Sequence, residues 1–335
     1  MGIRVTTVRP HSSLGFWLSV GIIVWVATLA SGRSSELDEA QSQFALRHYR
    51  EAITTLQAGL TRAPSNGQLH YWLARCFYEL RDYGQAVAHA EAAIQSDSGN
   101  SDYHLWLGRA YGGKAEQAHS FVLARRTRSE FEAAVRLDPA NIPARRDLAE
   151  FHLEAPWIVG GHKDEALRQI EAIAALDPVG GHLARANYWL HEKKPERAEA
   201  EYQQILKLNP QRTAPYFEVA DFYANRQDIA PMQEAVEAAA RVDPTDSVLP
   251  CYRGRLLVMA GNRLDEAENL LKRCLASPRR AGDSSTDVVA LVWLGRLYER
   301  LGKRLEAAAR YRTALQLDPD CRAAREALQR IDAKH

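Results

Sequence analysis

The side chains of this 335-residue chain that could do chemistry are scattered, not grouped. Of the eleven histidines, His152 and His162 stand ten residues apart and His182 and His191 nine. Neither spacing sets two imidazoles side by side on a helix face, which needs three or four. His162 and Asp164, next to Gly160 and Gly161, come nearest to a polar constellation; the alternative for them is a loop and a helix N-terminal cap. No Gly-rich phosphate loop, His-Glu-x-x-His zinc pattern or Gly-x-Ser-x-Gly nucleophile turn is present. Cys76, Cys251, Cys274 and Cys321 contain no Cys-x-x-Cys pair for zinc or redox work. The expectation is a non-enzymatic protein with no catalytic residue, no cofactor and no metal. Forty-three Lys plus Arg against 42 Asp plus Glu give no overall electrostatic pull toward nucleic acid, and none is expected as a partner.

The elements that position these side chains read as short amphipathic helices in pairs. In 287–321, Leu291, Leu294, Gly295 and Tyr298 mark one helix and Ala307, Tyr311 and Ala314 the next, at three- and four-residue steps. Gly302 makes the turn between them and Pro319 the stop. A two-helix unit of this size cannot bury its own apolar face, so it needs copies of itself. The copies are marked by stops at Pro64, Pro139, Pro178, Pro210, Pro244, Pro278 and Pro319, with Ser98 in the equivalent place in the second unit. Successive spacings are 34, 41, 39, 32, 34, 34 and 41.

The joint register resembles the tetratricopeptide repeat (TPR) family over residues 36 to 335. The last unit matches the family pattern at Leu294, Gly295, Tyr298, Gly302, Ala307, Tyr311, Ala314 and Pro319; the second at Leu73, Ala74, Phe77, Tyr83, Ala86, Ala90 and Ala93; the fifth at Ala186, Ala198, Tyr202, Ile205 and Pro210. The resemblance implies an all-α right-handed solenoid of about eight helix-turn-helix units over 32–335. It also implies a concave groove lined by the first helix of each unit. By register the groove would present Tyr71, Arg75, Tyr78, Leu105, Arg109, Arg146, Glu150, Asn187, Phe217, Asp221, Tyr252 and Arg296 to a protein or peptide partner. Arginine forks with aromatic rings suit a peptide carrying carboxylates. The Lys and Asn set that clamps a C-terminal carboxylate in chaperone-binding members is not reproduced. His70, His104 and His182 share one repeat position, read as a packing position and not a metal column.

Two units depart from the pattern. In the third, Phe131, Ala134 and Pro139 arrive seven residues late, which predicts longer helices across Gly112 to Arg128. In the fourth, Pro156, Trp157, Gly160, Gly161 and His162 interrupt the register and predict an ordered loop at the array edge, with Trp157 either tucked back or presented outward. A second loop is expected over 279–285, and Arg322 to Ile331 reads as a C-terminal cap helix. Cys251 and Cys274 fall at ends of antiparallel helices that meet. A disulfide can form there if the domain lies outside the cytoplasm; two small buried thiols are the alternative.

Ahead of the repeats, residues 1–13 carry Arg4 and Arg9 and no acid, and Leu14 to Ala30 run 17 residues without a charge. Residues 14–31 therefore read as a membrane-directed segment, either a retained transmembrane anchor or a cleaved signal core. Either way the N-terminus is expected in the cytoplasm and the solenoid outside it, on the membrane or, if the signal is cleaved, periplasmic or secreted. The expected function is an interaction scaffold of the cell envelope. The alternatives are a self-associating structural solenoid and an enzyme built on helical repeats around His162.

Overall fold

A computed structural model of the chain describes residues 36–277 and 284–333. The expected membrane-directed segment, and the part of the 279–285 loop before Ser284, lie outside these described residues. Ser284 and Ser285 already belong to a helix, so the loop there is shorter than its composition suggested.

Among the described residues all the regular structure is helical, in eight antiparallel pairs and a cap. The pairs are α1 (36–45) with α2 (Tyr49–Arg62), α3 (Gly67–Glu79) with α4 (Tyr83–Ser96), and α5 (Ser101–Ala118) with α6 (Phe121–Leu137). Next come α7 (Ile142–Glu154) with α8 (Lys163–Leu176), α9 (Pro178–His191) with α10 (Pro195–Leu208), and α11 (Ala214–Asn225) with α12 (Ile229–Val242). The last are α13 (Leu249–Ala260) with α14 (Leu264–Ala276) and α15 (Ser284–Arg300) with α16 (Arg304–Leu317), capped by α17 (Arg322–Asp332). None of these helices is long and apolar enough to cross a membrane.

Local chemistry sets the boundaries. Asn66, Asn100 and Asn141 each accept hydrogen bonds from free backbone N–H groups of the helix that follows, and Asp82 does so for α4. Second helices end two residues before the stop proline or its equivalent, as at Arg62 and Pro64 or Leu317 and Pro319. The paired helices of one unit touch where small residues let them approach. A Cβ on Gly295 would lie 2.5 Å from the Tyr311 ring, and one on Gly108 2.5 Å from Phe131. Tyr311 is thereby fully buried, and its hydroxyl donates to Glu299 Oε1 at 2.5 Å.

The apolar core is a chain of clusters passed from unit to unit, such as Leu56, Leu69 and Leu73 at the start and Leu271, Leu294, Leu297 and Tyr311 at the end. Removing one such leucine to alanine costs about 2–5 kcal/mol. α5 and α6, with 18 and 17 residues, are the predicted long helices of the third unit. The array also closes on itself. Arg47, in the turn after α1, donates to Asp287 on α15 at 2.9 Å, and Arg81, after α3, reaches Asp320 at 3.3 Å.

Candidate binding groove

Each first helix from α3 to α15 carries one small residue at its closest approach: Ala74, Gly108, Ala149, Ala186, Ala220, Gly254 and Gly295. The next residue turns about 100° around the helix and faces the concave side. This gives a column of Arg75, Arg109, Glu150, Asn187, Asp221, Arg255 and Arg296. Three residues earlier, on the same face, stands a second column: Trp72, Trp106, Asp147, Ala184, Glu218, Tyr252 and Trp293.

The two columns interlock across units. The Arg75 guanidinium lies 4.0 Å from the centre of the Trp72 ring and 4.8 Å from that of Trp106. Phe44 and Tyr71 lie 4.8 and 5.4 Å from it, and Arg75 donates to the Tyr71 hydroxyl at 3.4 Å. Arg109 stacks on Trp106 at 4.7 Å and grips Asp147 of the next unit with two bonds of 2.6 and 3.3 Å. At the other end Arg255 and Arg296 lie 5.1 and 4.4 Å from the centre of the Trp293 ring. Arg255, only 6% exposed, donates to Asp221 Oδ1 at 2.5 Å, and the Tyr252 hydroxyl donates to Asp221 Oδ2 at 2.7 Å. Between the ends run the acidic side chains of the fourth and sixth units. The C-terminal half of the concave side forms an open cavity of about 1680 Å³, lined by Glu218, Asp221, Tyr252, Arg255, Trp293 and Arg296 among others.

The electrostatics separate spent charges from available ones. Burial pulls the Arg109 guanidinium down, but its hydrogen bond and charge contact with Asp147 outweigh this and hold it above its ordinary value. Glu150 and Glu218 reach solvent and make no ion pair among the described residues. The concave wall dehydrates both and raises them; like charges at Glu154 and Asp147 add to this at Glu150, and Asp221 adds to it at Glu218. Arg296 is likewise solvent-exposed and makes no ion pair among the described residues; burial, then the like charges of Arg255 and Arg330, lower it. Tyr252 is pushed far up by burial and by Asp221.

The sequence-predicted face is thus brought together, with corrections. Leu105 is core and not groove lining, at 2% exposed, and Phe217 is largely covered, stacked on Tyr252 at 4.5 Å. Arg109 and Asp221 are engaged internally, each by a partner one unit away. Tyr71 and Tyr78 belong to an aromatic cluster with Trp106. Arg146 and Asn187 are exposed on the concave side. Sequence reasoning missed Trp72, Trp106, Asp147, Glu218, Arg255 and Trp293. The signal was the register itself: Arg255 follows Gly254 just as Arg296 follows Gly295.

The predicted loop of the fourth unit is ordered, and Trp157 is presented outward, 80% exposed. One 3-10 turn, Trp157–Val159, is held by Arg125 donating to the Ile158 carbonyl at 3.2 Å and by a 3.0 Å bond between His152 Nδ1 and the Gly160 carbonyl. Gly160 has a left-handed φ of 100°, and a Cβ on it would strike Arg128. His162 sits at the N-cap of α8 without making a cap hydrogen bond. The shared histidine position bridges the two helices of a unit: His70 to His89 at 2.9 Å, His104 to Glu130 at 2.7 Å and His182 to Glu201 at 2.6 Å. Cys251 and Cys274 are joined in a disulfide between α13 and α14.

Antiparallel helix pairs stacked into a closed array with a side-chain-lined concave face define an α-solenoid repeat protein. Tetratricopeptide repeat models match residues 37–101, 77–118 and 159–213, and a further one residues 288–321. The chain belongs to the tetratricopeptide repeat family. It is 28% identical over 176 residues to the human Protein O-mannosyl-transferase TMTC1, covering 51% of this chain and 19% of that protein. The chain therefore spans about a fifth of the length of that relative. Among solved structures it resembles the human IFIT1 dimer with m7Gppp-AAAA, with a TM-score of 0.52 at 16% identity over 85% of this chain and 68% of that one. It also resembles a tetratricopeptide repeat protein from Parabacteroides merdae, with a TM-score of 0.48 at 15% identity over 77% and 95%. At such identities the likeness concerns the fold alone.

Proposed function

We propose that this protein is a non-enzymatic interaction scaffold of the cell envelope that holds a partner protein or peptide in its concave groove. The two-column ladder carries this reading. Tryptophan and arginine, the side chains that dominate protein recognition energies, are pre-positioned at both ends of one continuous concave face. Each guanidinium-ring contact fixes a side chain at about 0.5–1 kcal/mol, so little freedom is left to lose on binding. The solenoid is assigned to the outer side of the membrane, with residues 14–30 as a retained anchor or a removed signal. That assignment is supported by the uncharged segment and by the Cys251–Cys274 disulfide, since disulfides persist in oxidising compartments.

A photo-crosslinking amino acid at Asn187, on the groove face, compared with one at Gln204, exposed on α10, tests the reading in intact cells. A partner captured from position 187 and not from 204 supports it; identical adducts from both remove it.

Self-association is a second reading, favoured by the exposed Trp157, Ile158, Phe121 and Val122 at the tip of α6 and the adjoining loop. Light scattering at micromolar concentration that finds a monomer sinks it.

A further inference from the structure

Of the charged side chains in the two columns, together with Arg146, five make no ion pair among the described residues: Arg75 on α3, which is enclosed by four rings, Arg146 and Glu150 on α7, Glu218 on α11 and Arg296 on α15. Arg146 offsets one carboxylate, being close enough to lower both Glu150 and Glu218 electrostatically. What remains is a surplus negative charge at the centre of the groove and a surplus positive charge at its C-terminal end. The intervening Asp221 and Arg255 neutralise each other at 2.5 Å, with Tyr252 closing the second carboxylate oxygen. From α7 to α15 the groove is therefore a dipole with a neutral, aromatic waist formed by Phe217 and Tyr252, stacked at 4.5 Å.

The group at each pole is open to solvent and has no counter-ion within bonding distance among the described residues. Arg296 rests on the Trp293 ring with its fork open to the cavity, facing Arg255 and Arg330 and no carboxylate that it bonds. The geometry points to an extended peptide of mixed charge as the occupant, one lysine or arginine seated at Glu218 and one carboxylate seated on the Arg296 fork. This rests on the groove reading above and adds the charge order and spacing to it. First helices of successive units pack roughly 8–10 Å apart, so two steps from α11 to α15 span about 16–20 Å. An extended chain covers that in about five or six residues. A second arginine at the N-terminal end, Arg75, is enclosed by four rings and does not offer an equivalent fork.

The experiment uses the full chain in detergent micelles and synthetic fluorescein-labelled dodecapeptides of Gly, Ser and Tyr. One set carries Lys and Asp six residues apart in either order; the others carry Lys alone, Asp alone or no charge. Fluorescence anisotropy is expected to show one mixed order binding at least about tenfold more tightly than every other peptide, the equivalent of about 1.4 kcal/mol. Glu218→Arg should abolish the contribution of Lys only, and Arg296→Glu that of Asp only. The double exchange should invert the preferred order, a gain that misfolding cannot produce. Equal affinity for all peptides, no binding by any, or an unchanged preference in the double variant overturns the inference. Crosslinks from position 187 alongside flat peptide preferences would leave the groove reading standing and remove only the charge order.

Discussion

Arg47 and Asp287 are separated by 240 residues yet joined at 2.9 Å, and both are mostly buried by the contact. This bond and the more exposed Arg81–Asp320 pair draw the two ends of the array together around the groove. Exposed ion pairs contribute about 0–1 kcal/mol, so Arg81–Asp320 adds little and closure rests chiefly on the more covered Arg47–Asp287 pair. Arg47→Glu should open the array, read as a larger radius of gyration in small-angle scattering, while the melting temperature moves by no more than a few degrees. An unchanged scattering profile would mean that the superhelical curvature alone sets the closure.

Two charge reversals of identical chemistry should differ in cost. Arg109→Glu removes a two-bond, half-buried ion pair and sets a carboxylate against Asp147, so about 2 kcal/mol or more of stability is lost. Arg296→Glu breaks no ion pair and loses only the stack on Trp293, so it should cost no more than about 1 kcal/mol. Urea midpoints followed by circular dichroism check both. The sequence placed Arg109 among the arginine forks offered to a carboxylate-bearing partner; its pairing with Asp147 revises that, and reversing it carries a stability loss of its own.

That revision marks how far the sequence was legible. Helical period and proline stops are local signals, so eight pairs, the long third unit and the cap could be read from spacing, while the concave position of Arg75, Glu150 and Arg296 came from the family resemblance. Which of those charges is free could not be read. The partner of Arg109 is Asp147 and that of Asp221 is Arg255, each one unit along the chain, and the pairing depends on how neighbouring first helices are offset. Trp157 posed the same difficulty, because its exposure follows from Arg125 and His152 gripping the backbone on either side of it.

The disulfide between Cys251 and Cys274 closes a loop of 23 residues and ties the wall of the cavity. In the chain-entropy account a loop of this size stabilises by about 3 kcal/mol. Cys251→Ser with Cys274→Ser should lower the melting temperature, and dithiothreitol should do so in the parent and not in the double variant. Non-reducing peptide mapping that finds both thiols free would contradict the bond.

The second unit should respond to acid. His70 Nε2 lies 2.9 Å from the Pro64 carbonyl and its Nδ1 2.9 Å from His89 Nδ1, so one ring must donate and the other accept across that contact. Burial, and then the neighbouring His70, push His89 down to about 4 from an ordinary 6.5. His89 also stacks on Phe77 with ring centres 5.4 Å apart. Because its folded value lies below the unfolded one, the unfolded chain binds the proton first. The contribution of this contact is complete above about pH 6.5 and falls away as the pH drops toward 4, by an amount on the order of 2 kcal/mol. Stability of the parent should decline over that window, while His89→Phe, which keeps the ring against Phe77 and removes the titrating group, should flatten the decline. Equal slopes for parent and variant in thermal melts between pH 7 and 4 would show that His89 is not the group responsible.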